Sequence, residues 1–581
     1  MILGLYVYSA GARRRVIATL SNAGLSVSYD TIRRAIGQLA DDALQKVRDA
    51  VRNQDWFLVY DNINLALRKS DQRLMSLDQF VSLTNPTIVI GGGIPLSTVK
   101  DPYLKFETEQ LLPTEAEIAR FRNAYKFHLI EVLRRYCKSS SRFKNCALVI
   151  KKLPVRKTTT YPLSTLRIDE SIVEGNRDVL ETIMEKVLNL PKEWFNGKQV
   201  IVAGDQMTVA GLRTLKYQRR SDVSPYARLE WMEPLIQLFH IQMLFSGTLI
   251  NNYYGGESMA PGSLGFYISL LKRKRVGPVK QDFHAADELL RHSFEALVMR
   301  LWMTEFNCEK LEDLDKLLGT MNTLTLEGKI NSGVDNITSA WLDRLRLMTD
   351  DNILSKNSAF FIKDMVLYME LSDAIKVGDI GRIEEALKPL TVMFQASQTK
   401  NYALELLHLH CVLNHASNAE RKEAIMSSWL INTTGKENGW IPADLYQEHN
   451  NLLTKVTHAV RGTNSQYETL AKLIAPNLHA FERVCSQVED IFHTPNRGIH
   501  HTPKCATVDI ERLVKAIKEH SILDSNRCAA STRAEAVKDL YNNGLYNLQN
   551  DKRIAAFISR RTHLAQEDLD ESEIGIDYFA D

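Results

Sequence analysis

Twice in this chain an apolar, strand-forming run ends in an aspartate, and no other pattern limits the fold so tightly. The first run is Asp55-Trp-Phe-Leu-Val-Tyr-Asp61-Asn-Ile-Asn64; the second is Lys198-Gln-Val-Ile-Val-Ala-Gly-Asp205-Gln-Met-Thr208. Uninterrupted β-branched and aromatic residues predict strands buried on both faces. After Asp205, the pattern Thr208-Val-Ala-Gly-Leu-Arg-Thr-Leu215 predicts the start of a helix. A carboxylate at the carboxyl end of a buried strand sits where open α/β sheets place ligands. Either aspartate alone reads equally well as a turn former or a helix cap. As a pair on neighbouring strands they would repel each other unless a cation lay between them, and such hard oxygen donors suit Mg²⁺ or Mn²⁺.

The surrounding pattern has several zones. From Ala12 to about Val51 it is helical: Arg13 to Ala23 ends at Gly24, and Ser28 is placed to cap a helix from Tyr29 to Leu39. Helix, glycine turn and second helix, with Arg33 and Arg34 facing out, resembles a helix-turn-helix, although any helical hairpin has this outline. From Trp56 to about Met243, β-rich runs (Trp56–Tyr60, Thr87–Ile90, Cys146–Ile150, Val200–Ala203) alternate with helical stretches at Thr114–Tyr136 and Asp178–Leu190. That alternation predicts an α/β core with a mixed sheet. Gly91-Gly-Gly93 lacks the lysine and the spacing of a phosphate loop. Beyond Ile250 the periodicity turns helical, over 285–303, 311–321, 337–348, 359–387 (broken by a turn), 402–413, 442–473, 508–522 and 531–548. The expected organisation is an N-terminal helical region over 1–52, the first part of the α/β core over 53–249, an all-α insertion over 250–440, a helical C-terminal part over 441–565 and a disordered acidic tail over 566–581.

Composition narrows the setting. The 581 residues allow two to four domains, and 44% hydrophobic with 24% charged residues is ordinary for a water-soluble protein. Seven scattered cysteines without a Cys-x-x-Cys pair argue against a disulfide framework or a structural zinc site, and for a reducing compartment. No stretch approaches the ~20 apolar residues of a membrane span. The segment Met1 to Tyr8 is too short for a signal-peptide core, so a soluble intracellular protein is expected, with no membrane partner.

Two further segments carry candidate chemistry. Trp231-Met-Glu-Pro-Leu-Ile-Gln-Leu-Phe-His240 reads as a strand-like run ending in a histidine, which serves either a site or the core. In Asp444-Leu-Tyr-Gln-Glu448-His-Asn-Asn451, Asp444 and Glu448 share a helical face; a cap and a solvent-facing acid are the plain alternative.

In this order (Asp61, Asp205, Phe239-His240, Glu448) the residues resemble the RNase H-like DDE transposases, in particular the hAT and Mutator-like groups, whose third acid follows a large helical insertion. The strings Tyr-Asp-Asn-Ile-Asn, Gly-Asp-Gln-Met-Thr-Val, Phe-His-Ile-Gln-Met and Asp-Leu-Tyr-Gln-Glu-His-Asn-Asn are similar to an uncharacterised fungal family of transposon origin carrying a domain of unknown function, over roughly residues 20 to 550. The resemblance implies a nuclear, DNA-binding protein with metal-dependent DNA cleavage and strand transfer. Asp61, Asp205 and Glu448 would hold the ions, and His240 would orient a ligand or support the sheet. Basic segments including Arg33-Arg34, Arg219-Arg220 and Lys272-Arg-Lys-Arg275 would meet phosphates, and the last of these also reads as a nuclear-import signal. Gln237 stands where the hAT-type cysteine belongs, and Glu288 and Asp444 compete for the third acid. A catalytically inactive, domesticated DNA-binding or helical interaction protein is the rival reading, and a homo-oligomer is left open.

Overall fold

The computed structural model describes residues 1–67, 79–92, 106–256, 259–278, 282–348, 352–415, 418–459, 467–494, 506–524 and 534–550. The acidic tail expected over 566–581 lies outside them, as do Cys505 and Cys528. The chain forms two compact units and alternates between them. Unit 1 comprises Met1–Lys100, Pro154–His240 and Val412–Thr502; unit 2 comprises Asp101–Leu153, Ile241–Cys411 and Pro503–Asp581. No helix among the described residues is long and apolar enough to cross a membrane.

Unit 1 is α/β. Its strands are β1 (Trp56–Leu67), β2 (Gln79–Ile90), β3 (Thr160–Pro162), β4 (Val200–Gly204) and β5 (Met232–Ile236), in the spatial order β3-β2-β1-β4-β5. β1 and β2 pair antiparallel from Trp56↔Ile90 to Leu67↔Gln79, and β2 pairs antiparallel with β3. β4 runs parallel to both β1 and β5. Pro234 is tolerated in β5 because that strand is an edge. Every residue of β4 is buried, which is why its sequence is uninterruptedly apolar.

Alternation assigns the two faces of β1 different work. Trp56, Leu58 and Tyr60 join Ile88, Val200 and Val202 in a core with Val179, Leu180, Leu212 and Leu215, from the helices Val173–Glu181 and Gln206–Gln218. The opposite face, with Asp61 in register with Asn85, lies against the Ala443–Ala459 helix. At the N-terminus, helices Ile2–Ser9, Arg14–Asn22 and Tyr29–Asn53 enclose Tyr8, Ile17, Ile32 and Ile36 together with Phe481. Gly24 takes φ +72° after the second helix, and Ser28 caps the third by accepting Thr31 N–H. A short hairpin, β6 (Leu430–Asn432) and β7 (Trp440–Pro442), precedes the Ala443–Ala459 helix.

Unit 2 is helical. Its longer members are Glu115–Tyr136, opened by a Thr114/Glu117 capping box, Phe283–Glu305, Ile353–Val377 and Ile380–Gln395. The break expected within 359–387 falls at Gly378, in the left-handed conformation at φ 77°. Three expectations are corrected. Cys146–Ile150 is not a strand: Leu148, Val149 and Ile150 are exposed, and the Ile150 and Lys151 amides donate to the Asp379 carboxylate instead of a neighbouring strand. A short apolar run cannot report whether a pairing edge is present. The helix expected over Ile337–Met348 starts earlier, at Thr323, and through that stretch it is the end of the Thr323–Thr338 helix followed by π-helical Ser339–Asp343 and 3-10 Leu345–Leu347. His240 does not end a strand; it stands in the first turn of the Leu238–Tyr253 helix, because β5 stops at Ile236 and a remote carboxylate caps the backbone that follows.

Candidate functional site

The parallel pairing of β1 with β4 reaches Val59↔Ala203, and Asp61 and Asp205 each lie two residues beyond that pair. The two carboxylates therefore belong to adjacent parallel strands at the level where β4 gives way to a helix. Asp205 also caps that helix, with Oδ1 accepting Thr208 N–H at 2.8 Å.

The Ala443–Ala459 helix closes the site from the Asp61 face of the sheet. Its residues 444, 447, 448 and 451 recur at helical spacing and face inward together. Asn451 Nδ2 donates to Asp61 Oδ2 at 2.8 Å and its Oδ1 accepts from Asn85. Gln447 and Asn450 bind Thr87, and Gln447 also donates to the Asn85 carbonyl. These side chains are buried, so the network fixes the helix against the sheet and every lost member leaves a buried polar partner. Asp444, 4% exposed, accepts from the Phe239 and His240 amides at 3.0 and 3.1 Å and from His240 Nδ1 at 3.0 Å. It is thus the N-cap of a helix roughly two hundred residues earlier in the chain. On the other side of the imidazole, Nε2 is 3.8 Å from Glu448 Oε1, and the Glu448 side chain is 40% exposed. Of the three competitors for the third acid, Glu448 and Asp444 are both beside His240, whereas Glu288 lies in unit 2, paired with Arg273.

Sequence reasoning missed Glu170. It is 3% exposed, and the loop that carries it is tied down at both ends: Leu166 exchanges backbone hydrogen bonds with Thr84, and the Glu170 carbonyl accepts from Asn176 Nδ2. Burial, and then the charges on Asp61 and Asp205, push its carboxyl well above the usual range. No local pattern marks it, since only folding brings it beside the two aspartates. Burial, followed by Glu448 and Asp205, pushes Asp61 up to about 7. For His240, burial acts to lower the pKa, but the hydrogen bond and charge of Asp444, reinforced by Asp205 and Asp61, outweigh it and raise it to about 9. The site therefore gathers more carboxyl groups than its single imidazolium can balance.

Carboxylates of this kind are donors for Mg²⁺ or Mn²⁺. Among the described residues, no three His, Cys, Asp or Glu side chains form a ready ligand cage. Gln237 is fully buried, and neither atom of its amide has a hydrogen-bond partner among the described residues.

The basic candidates are dispersed. Arg33 and Arg34 are exposed on the Tyr29–Asn53 helix. Arg219 is occupied by Glu181 and Asp222, while Arg220 lies over the Tyr217 ring at 4.0 Å. In unit 2, Arg273 pairs with Glu288 and Asp509, leaving Lys272, Lys274 and Arg275 exposed.

A family model described as a family of unknown function (DUF6589) matches residues 105–501, well over half of the chain, and the chain belongs to that family. The match takes in Glu170, Asp205, His240, Asp444 and Glu448 but begins after Asp61. No curated protein and no solved structure matches the chain.

Proposed function

We propose that this member of the DUF6589 family is a transposase-like protein of transposon origin, with an RNase H-like core that binds DNA and cleaves it with the help of Mg²⁺ or Mn²⁺. One observation carries the reading: Asp61 and Asp205 follow the last paired position of two adjacent parallel strands, and a helix from much later in the chain brings Glu448 beside them. The sheet supports it too, with three antiparallel strands joined to two parallel ones and the first strand at the centre.

In this reading Asp61 and Asp205 hold the ion and Glu448 completes the donor set. The bound metal would make a water or 3′-hydroxyl a better nucleophile and stabilise charge on the leaving oxygen. His240, kept as an imidazolium by Asp444, sets the position of Glu448 and offers positive charge near the scissile phosphate. Asn451 holds the Asp61 carboxylate through Oδ2. A nuclear location goes with a DNA substrate. A second reading, a descendant that binds DNA without cutting it, is favoured by the same Asn451 contact and by the use of Asp205 as a helix cap, since both occupy carboxylate lone pairs.

Plasmid nicking with Mn²⁺ separates the two, comparing wild type with Asp205→Asn and Asp61→Asn. Nicking by wild type that each substitution reduces at least ~100-fold is expected of site residues. Equal nicking in all three proteins would remove the catalytic reading, and DNA binding without metal-dependent nicking would leave the second.

A further inference from the structure

Positive charge that the fold does not use internally gathers in a different part of unit 1. Arg156 and Lys157 are exposed on the segment leading into β3, Lys436 on the turn between β6 and β7, and Arg483 on the Leu478–Ile491 helix. The fold draws the four together. Thr158 N–H donates to the Asn432 carbonyl, which joins the β3 segment to the hairpin. Gly435 comes so close to Lys157 that a Cβ added to it would lie 3.1 Å from the Lys157 Cβ, and its φ of +69° likewise calls for glycine. Lys157 and Arg483 both act on His479, which burial first, then these two cations, lower to about 4; the imidazole between them is neutral. The Arg156 guanidinium reaches the Gly91 end of β2.

Several other arginines of unit 1 are spent on carboxylates: Arg177 on Asp178, Arg219 on Glu181 and Asp222, Arg228 on Glu230, Arg421 on Glu233. None of the four cations near β3 makes an ion pair within 4 Å with a described residue; Glu437 and Glu482 stand on the same elements, and the Lys157 charge acts on Glu482. The turn that displays Lys436 is rigid, because Asn432 Oδ1 accepts from the Thr434 and Gly435 amides and its Nδ2 donates to the Lys436 carbonyl. Four exposed cations against two acids on the same elements leave a positive surface matched to a polyanion.

We infer that Arg156, Lys157, Lys436 and Arg483 form a contact for the phosphate backbone of DNA, remote from the carboxylate site. The spacing is set by the sheet. Asp61 is in register with Asn85, and Gly91 follows six residues later, just past the end of β2, about 20 Å away at the rise of a strand. With phosphates ~3.4 Å apart along each strand of a duplex, Arg156, beside Gly91, engages backbone about six base pairs from the nucleotide at Asp61, and the other three cations extend the contact from there. This inference rests on the DNA-binding reading above.

The test uses the full-length protein and fluorescent 30-base-pair duplexes of two unrelated sequences, with affinity measured across a salt series. In the quadruple variant Arg156→Ala, Lys157→Ala, Lys436→Ala, Arg483→Ala, the slope of log K against log salt should fall by about four, one for each phosphate that is no longer neutralised, and equally for both sequences. The charge-preserving variant Lys157→Arg, Lys436→Arg should keep the wild-type slope. All four side chains are exposed, and unchanged circular dichroism and melting temperature verify folding. A folded quadruple variant with wild-type slope and affinity overturns the inference and leaves the DNA-binding reading standing. Wild type that binds neither duplex at any salt overturns that reading, and this inference with it.

Discussion

Replacing Asp444 by Asn tests the electrostatic core of the site, because the side chain keeps its size and loses its charge. In the metal-free protein, burial lowers His240, but Asp444 foremost, with Asp205 and Asp61, outweighs it and raises the imidazole from an ordinary 6.5 to about 9. A shift of this size is worth about 3 kcal/mol. Because the folded value lies above the unfolded one, the stabilisation is complete below about pH 6.5 and is lost as pH rises through about 9. Asn caps a helix nearly as well as Asp, so the two backbone hydrogen bonds at Phe239 and His240 are largely retained. The penalty of Asp444→Asn should therefore depend on pH: no more than about 3 kcal/mol at pH 6, since Asp205 and Asp61 still favour the imidazolium, shrinking to about 1 kcal/mol or less above pH 9.5. Urea unfolding from pH 5 to 10 in EDTA measures the difference, and the NMR titration of the His240 Cε1–H, assigned with His240→Gln, reads the imidazole directly. The acidic titration of Asp61 is common to both proteins and cancels to first order. A penalty that stays constant with pH, or a wild-type His240 that titrates near 6.5, would refute the argument.

Asp61→Asn should make the metal-free protein more stable at pH 8, by about 2–4 kcal/mol in thermal or urea unfolding. The folded carboxyl titrates near 7 against 3.8 unfolded, so the stability it permits is complete below 3.8 and lost as pH passes 7; a wild type that is the more stable at pH 8 would contradict this. Gln237→Met should be neutral or stabilising by ~1 kcal/mol, because it removes a buried amide that has no partner among the described residues. A loss above ~2 kcal/mol would mean that the amide is bonded in solution. Gly175→Ala should cost about 2–4 kcal/mol on denaturant unfolding, since an added Cβ would lie 1.7 Å from the Asp169 carbonyl oxygen; a silent substitution would show that the loop bearing Glu170 is free to move.

What the sequence determined by itself is local. The β-branched run Val200–Ala203 favours an extended strand, and the glycine and aspartate after it favour a turn into a helix, because both preferences follow from side-chain sterics and short-range hydrogen bonds. The same holds for the Ser28 cap, and for the spacing that puts Asp444, Glu448 and Asn451 on one helical face. The sequence could not decide whether Phe239-His-Ile-Gln-Met was strand or helix, nor that Cys146–Ile150 would find no strand to pair with. Periodicity over five residues is ambiguous, and the deciding groups, Asp444 for the first and Asp379 for the second, come from far along the chain. Tertiary structure alone joined β1 to β4, set Asn451 on Asp61, and buried Glu170 beside two aspartates. Those pairings join residues tens to hundreds of positions apart, so the protonation states that define the site depend on burial and neighbouring charge that no local pattern encodes.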